Sequence, residues 1–173
     1  MKIAALRGAT ETQFAQLVAL LRDAVLSGAS VGYVLPVTDD ELADFWDGAL
    51  ADVAHGNRLL LVLEVEDAIV GSAQLELAMK PNARHRAEVQ KVLVHSAHRR
   101  AGYGRLLMEA VETAARQLDR SLLVLDTESG CAGQKLYDRM GFTVAGIIPD
   151  FAIGTVSGMC ATTYMYKRLG TTA

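Results

Sequence analysis

Between residues 98 and 105 the chain reads His98-Arg99-Arg100-Ala101-Gly102-Tyr103-Gly104-Arg105, two glycines set among arginines just before a long helical pattern. The start of a helix leaves backbone N–H groups without intrahelical partners at the positive end of its dipole. Small residues let an anion approach those groups, and arginines suit a phosphate. The segment reads as a cradle for a pyrophosphate. Two other glycine-rich phosphate loops are excluded. A dinucleotide loop of the form G-x-G-x-x-G needs glycine where Leu107 stands, and no G-x-x-x-x-G-K-[ST] occurs in the chain. What remains is R-x-x-G-x-G, fixed by Arg99, Gly102 and Gly104.

A second pattern follows. After the apolar run Leu122-Leu123-Val124-Leu125-Asp126 comes the helical stretch Gln134 to Phe142, containing Leu136-Tyr137-Asp138-Arg139-Met140-Gly141-Phe142. In this order and spacing the two motifs resemble those of the Gcn5-related N-acetyltransferases, R-x-x-G-x-G followed by L-Y-x-x-x-G-F. The resemblance implies an α/β fold in a single domain over residues 1–173. Its sheet is mixed and mostly antiparallel, with a splayed parallel central strand pair and flanking helices. It also implies acetyl-coenzyme A as co-substrate. Backbone groups of Val92, Leu93 and Val94 then face the pantetheine arm and the acetyl oxygen. The segment Arg99, Arg100, Ala101, Gly102, Tyr103, Gly104 and Arg105 holds the pyrophosphate. The chain departs from the family pattern at Ser96 (often proline), Arg100 (often glycine) and Gly130 (asparagine in many members), the last removing a cofactor contact.

Acetyl transfer from a thioester to an amine sets the remaining requirements. A lysine-like amine is neutral in only about one molecule per thousand at pH 7, so a proton acceptor helps. An oxyanion needs a donor, often a backbone N–H. A thiol of pKa about 8.5 already leaves fairly well, so a proton donor adds to positioning rather than replacing it. By resemblance Tyr137 is the donor to the sulfur; its alternative use is to pack the last helix on the sheet. Glu88 and Asp126 are the candidate bases, one on each strand of the splayed pair. Asp126 could instead cap the turn Thr127-Glu128-Ser129, and Glu88 could pair with Arg86 or Lys91. Nothing beside Cys131 in sequence activates a thiolate, so transfer is expected to be direct.

Several further segments resemble the tabtoxin-resistance branch of the family, whose acceptor is a β-lactam amino-acid toxin. They are Arg86 to Lys91, Ser27 to Gly32, Ala73-Gln74-Leu75 with Lys80-Pro81-Asn82, and Leu125-Asp126-Thr127-Glu128. This implies a small-molecule amine acceptor and an antibiotic-resistance or detoxification role, with Gly28 to Gly32 on the acceptor side. A silent acyl-coenzyme A sensor and a protein or peptide N-acetyltransferase are the other readings.

Composition bounds these expectations. A chain of 173 residues, 51% hydrophobic and 21% charged, suits one globular domain. A net charge of −3 argues against a general nucleic-acid or membrane-surface binder. Seven of the 17 basic residues nonetheless fall between Lys80 and Arg105, where Glu88 is the sole acid. Cys131 and Cys160 form no framework and are expected as buried thiols. The four histidines show no ligand spacing, so no metal is expected. No signal peptide or membrane span is read, which makes the cytoplasm the default.

The elements that must position these groups follow from periodicity and caps. Ile3 to Arg7 reads as a strand. Capping boxes at Thr10/Gln13 and Thr38/Glu41 open two helices that stop at Gly28 and Gly56. Arg58–Glu66 and Ile69–Met79 form a hairpin, and Glu88–His95 is the next strand. Tyr103–Leu118 is amphipathic, its stripe made of Leu106, Leu107, Ala110, Val111, Ala114, Ala115 and Leu118, with Glu112/Arg116 as a supporting pair. Leu122–Thr127 then lies parallel to the strand before it. Phe142–Ile148 and Cys160–Tyr166 close the chain as an antiparallel pair around a loop at Pro149 to Gly158. Exposed edges there could support a homodimer.

Overall fold

Two threonines set where the chain first turns helical. Thr10 accepts from the Gln13 amide at 3.2 Å, and the Gln13 side chain accepts from the Thr10 amide at 3.1 Å. Thr38 and Glu41 repeat the exchange at 3.3 and 2.8 Å. These capping boxes open α1 (Glu11–Leu26) and α2 (Asp39–Ala54) as expected. Their buried faces, Leu17, Leu20, Leu21, Ala24 and Val25 on one and Leu42, Trp46 and Ala49 on the other, meet Leu60, Val62, Ile69 and Leu93 of the sheet.

The computed structural model describes residues 1–155 and 158–170. The strands are β1 (Lys2–Leu6), β2 (Arg58–Val65), β3 (Ala68–Leu77), β4 (Arg86–Val94), β5 (Leu122–Glu128), β6 (Thr143–Gly154) and β7 (Gly158–Arg168), in the spatial order β1-β2-β3-β4-β5-β7-β6. On the face opposite α1 and α2 lie α3 (Tyr103–Gln117) and α4 (Ala132–Arg139). They cover a second core that includes Leu61, Leu75, Val89, Leu107, Val111, Leu123 and Met165. The α3 stripe is turned slightly from the sequence expectation. Met108 and Glu112 are buried while Leu118 is 40% exposed. Glu112 is more than a surface partner of Arg116, because it also receives Lys167 from β7, which in turn donates to the Met140 carbonyl at 2.6 Å.

All neighbours in the sheet are antiparallel except β4 and β5. That parallel pair lasts for three residue pairs, Arg86↔Leu122, Ala87↔Leu123 and Glu88↔Val124. Beyond Glu88 the strands part. The cause is a bulge in β4. Ser72 faces Leu93 and Gln74 faces Gln90, so Lys91 and Val92 together stand opposite Ala73. Lys91 adopts φ +47° at that point. An extra residue in the left-handed region bends and twists a strand.

The C-terminal pair differs from the expected loop at Pro149 to Gly158. β6 runs on to Gly154 and β7 begins at Gly158. Pro149 is tolerated because β6 is the edge of the sheet, where a missing N–H breaks no ladder. The register moves from Ile148↔Thr162 to Ala152↔Cys160, so residues 149–151 bulge outward without ending the strand. Val156 and Ser157, within the expected loop, and residues 171–173, within the expected domain, lie outside the described residues.

Gly71 lies where β3 and β4 approach most closely beside the bulge. A Cβ there would stand 3.0 Å from both the Leu93 carbonyl oxygen and Leu107 Cδ1. A backbone oxygen cannot yield as a side chain can, so the clash outweighs the entropy advantage of alanine. Gly71→Ala is expected to destabilise by about 1–3 kcal/mol, read from the urea unfolding midpoint. An unchanged midpoint would show that the strands are free to separate there.

Candidate active site at the strand fork

The divergence of β4 and β5 opens a cleft of about 1550 Å³ that reaches both sides of the sheet's carboxyl end. Its floor on the α3 side is the R-x-x-G-x-G segment. Gly102 is the N-cap of α3 at φ +82°, a conformation that disfavours any Cβ. Gly104 serves a different need, since a Cβ there would come within 3.1 Å of Leu136 on α4. Unlike α1 and α2, α3 has no side-chain cap. The first intrahelical bond comes from Leu106 to the Gly102 carbonyl at 3.1 Å, which leaves the Tyr103, Gly104 and Arg105 amides to the cleft. With Arg100 at φ +64° preceding Gly102, the segment has the alternating backbone of an anion-binding concavity.

The arginines of this segment divide their tasks. Arg99 turns away from the glycines. Its guanidinium donates to the Val94 carbonyl at 3.1 Å and to the Ser27 hydroxyl at 2.5 Å, and lies 3.8 Å from Asp23. Asp23 also accepts from the Ser96 amide at 2.7 Å and its hydroxyl at 2.6 Å. Arg99 therefore ties the loop to the end of α1. Arg105 pairs with Glu109 at 2.7 Å on the surface. Arg100 is exposed at the cleft. Of the expected cofactor residues, Val92, Leu93, Val94, Arg99, Arg100, Gly102, Tyr103, Gly104 and Arg105 line the cleft, whereas Ala101 does not. The edge of β4 that faces β5 beyond Glu88 has no strand partner among the described residues, so its backbone groups near Val92 to Val94 are open apart from the Val94 carbonyl that Arg99 occupies.

Tyr137 enters from α4. The helix ends in a Schellman motif, with Phe142 N bonding to Tyr137 O at 3.0 Å and Gly141 N to Asp138 O at 3.1 Å, Gly141 holding φ +79°. That geometry returns Phe142 onto the Tyr137 ring at 5.8 Å between centroids, which is why the motif spaces Leu, Tyr, Gly and Phe as it does. Tyr137 is 9% exposed. Burial, then Cys131 and Asp126, hold its hydroxyl pKa above the usual tyrosine range, so it stays protonated. Cys131 caps α4 through the Gln134 amide at 3.4 Å and meets Thr127 at 3.3 Å. Both cysteines are half-buried on the cleft wall, not enclosed in the core as the sequence suggested, because each sits at an element that rims the fork.

Glu88 and Asp126 both reach the cleft. Glu88 does not pair with Arg86 or Lys91. Its carboxylate accepts from the Gln90 amide group at 3.0 Å. Arg58 orients that amide, donating to Gln90 Oε1 at 2.8 Å and Gln74 Oε1 at 2.6 Å. Asp126 lies within β5 rather than at a turn, and accepts from the Thr162 hydroxyl at 3.0 Å. Both carboxylates are thus held by neutral donors. The sequence reading missed Arg58, Gln90 and Thr162. Gln90 stands two residues from Glu88 on one strand face, a legible signal, but Thr162 comes from a register only the fold reveals.

The side of the cleft opposite α3 is walled by residues 27–32 and the β6–β7 hairpin. Thr155 donates to the Ala29 and Tyr33 carbonyls at 3.3 and 3.4 Å, closing one end. Among the described residues no cluster of three or more His, Cys, Asp or Glu could hold a metal ion.

Comparison with solved structures finds this fold repeatedly. A ribosomal-protein-alanine N-acetyltransferase from Brucella melitensis shares 24% identity over 98% of this chain and 100% of its own, with a TM-score of 0.79. The protein yncA from Salmonella typhimurium, assigned as an acetyltransferase and crystallised with its cofactor acetyl-CoA, shares 23% identity over 100% of this chain and 97% of its own, with a TM-score of 0.77. A protein assigned as a phosphinothricin N-acetyltransferase shares 20% over 98% and 99%, with a TM-score of 0.78. At these identities the likeness is one of fold. The sequence model of the acetyltransferase (GNAT) family matches residues 22–142, from the middle of α1 through the fork, the uncapped start of α3 and the closing Phe142, and the chain belongs to that family.

Proposed function

We propose that this acetyltransferase moves the acetyl group of acetyl-coenzyme A directly to the primary amine of a small molecule, an amino-acid-like toxin or antibiotic. The observation that carries the reading is the one uncapped long helix, whose free amides open onto the same cleft as Tyr137, Glu88 and Asp126. The donor, when bound, supplies an activated thioester. The Tyr103, Gly104 and Arg105 amides bind its pyrophosphate, Arg100 adds charge, and Arg99 holds the loop in place. Backbone groups near Val92 to Val94 orient the pantetheine arm and acetyl oxygen along the open edge of β4. Glu88 or Asp126 takes the amine proton. Tyr137 donates toward the sulfur.

The tie from Thr155 to the Ala29 and Tyr33 carbonyls, which joins the two walls, supports a small acceptor over an extended peptide. A neighbour named for phosphinothricin and the tabtoxin-resistance resemblance both point to an amino-acid-like amine. The neighbour named for a ribosomal protein keeps a peptide acceptor as the competing reading. The role implies a cytoplasmic site of action; no described helix is long and apolar enough to cross a membrane. A second copy of the chain is the other proposed partner. β6 is an edge strand with Ile147 59%, Ile153 63% and Val144 44% exposed, and two such edges can pair about a two-fold axis.

Release of free thiol from acetyl-coenzyme A is expected with small amino-acid-like amines, and not with basic peptides. Turnover of peptides alone would overturn the small-molecule reading. Tyr137→Phe is expected to lower kcat about a hundredfold, at the low end for a proton donor, since a thiol needs little help to leave. Calorimetric affinity for acetyl-coenzyme A should be unchanged; an unaltered kcat would remove the tyrosine from the reaction. Because the Tyr137 pKa is raised, loss of its proton cannot limit the rate until the pH exceeds about 10. Ile147→Glu combined with Ile153→Glu should convert a dimer to a monomer in sedimentation, whereas a monomeric parent would refute the pairing.

A further inference from the structure

Lys91 is the residue of the fork that the reaction above does not use. It occupies the β4 bulge at φ +47°, a conformation unfavourable to any residue with a Cβ, and Ser72 pins its carbonyl with a hydrogen bond of 3.2 Å. The bulge sends its side chain toward α2 and the acceptor wall. Its ammonium lies 5.0 Å from the Phe45 ring centroid, and 3.8 Å from where a Gly32 Cβ would stand. Lys91 lines the cleft.

The carboxylates around it have other partners, and none of the described ones pairs with it. Arg58, facing from β2, is engaged by Asp52 at 3.3 Å and Glu76 at 3.0 Å. Glu88, on Lys91's own strand, is held by Gln90, and Asp126, facing from β5, by Thr162. Among the described residues Lys91 makes no ion pair. Burial lowers its pKa, Arg58 adds to that, and Asp126 opposes it. A cation partly stripped of water and lacking a partner is costly, and a ligand anion relieves that cost. The cleft therefore offers one positive group on the acceptor wall and two carboxylates at the fork, the complement of a molecule bearing both an anion and an amine.

We infer that Lys91 recognises a carboxylate on the acceptor, so that the substrates are amino acids or their analogues rather than simple amines. This rests on the small-amine reading above. The test compares the twenty L-amino acids with their C-terminal amides, using the full-length enzyme with acetyl-coenzyme A. The acid should be preferred over its amide by about ten- to hundredfold in kcat/KM, carried by KM. Lys91→Met should erase that preference, and Lys91→Arg should restore part of it. Calorimetry with the N-acetyl amino acids, which needs no turnover, should show binding to the parent and its loss in Lys91→Met.

Equal use of acids and amides by the parent overturns the inference and leaves the small-amine function standing. A fall in kcat for both in Lys91→Met, with a displaced pH profile, also overturns it, making the lysine a proton-transfer group. Acetylation of peptides with silence toward every amino acid and amide, and no binding of the N-acetyl products, sinks both readings together.

Discussion

The brevity of one ladder governs this molecule. β4 and β5 are neighbours in register for three residue pairs, and the candidate site opens where that register fails. An isolated pair of parallel strands would continue to exchange hydrogen bonds; the residue inserted at Lys91 and Val92 bends β4 away from that course. Strand edges are normally a hazard because their unpaired groups invite other chains. Here an internal edge faces a cleft walled by α3, α4 and the β6–β7 hairpin, so its unpaired groups are available to a ligand and shielded from a neighbouring strand.

Around the fork, polar groups are arranged in relays rather than in direct ion pairs. Arg58 acts on Glu88 through Gln90, and Thr162 holds Asp126. A guanidinium placed directly on either carboxylate would favour its ionised form so strongly that it became a poor base. Amides and hydroxyls fix their orientation instead. The same economy is seen at Tyr137, whose position comes from the turn at Gly141 and the packing of Phe142.

Much of this was legible in the residues. Caps at Thr10 and Thr38 and stops at Gly28 and Gly56 are local physics, and the helices begin and end where those residues direct. Gly102 and Gly104 mark the uncapped start of α3, the first by its positive φ and the second by its close approach to Leu136. What could not be read depends on pairing between distant strands. Pro149 signals a break in any local reading, and only its place on an edge strand lets β6 continue past it. Arg99 was read as facing the phosphate, since nothing nearby in sequence reveals that Asp23 and Ser27 lie within its reach. Lys91 looked like one more charge in a basic stretch, because a bulge has no signature when a lysine occupies it.

Arg99 has one more consequence. Its guanidinium bridges the stretch before α3 to Ser27, the C-cap of α1 and a lining residue of the cleft. Arg99 and Asp23 together therefore tie the stretch before α3 to the end of α1 across the cleft. Whatever restrains that loop also restrains residues 27–32 at the other side of the cleft, and such a coupling is equal in both directions.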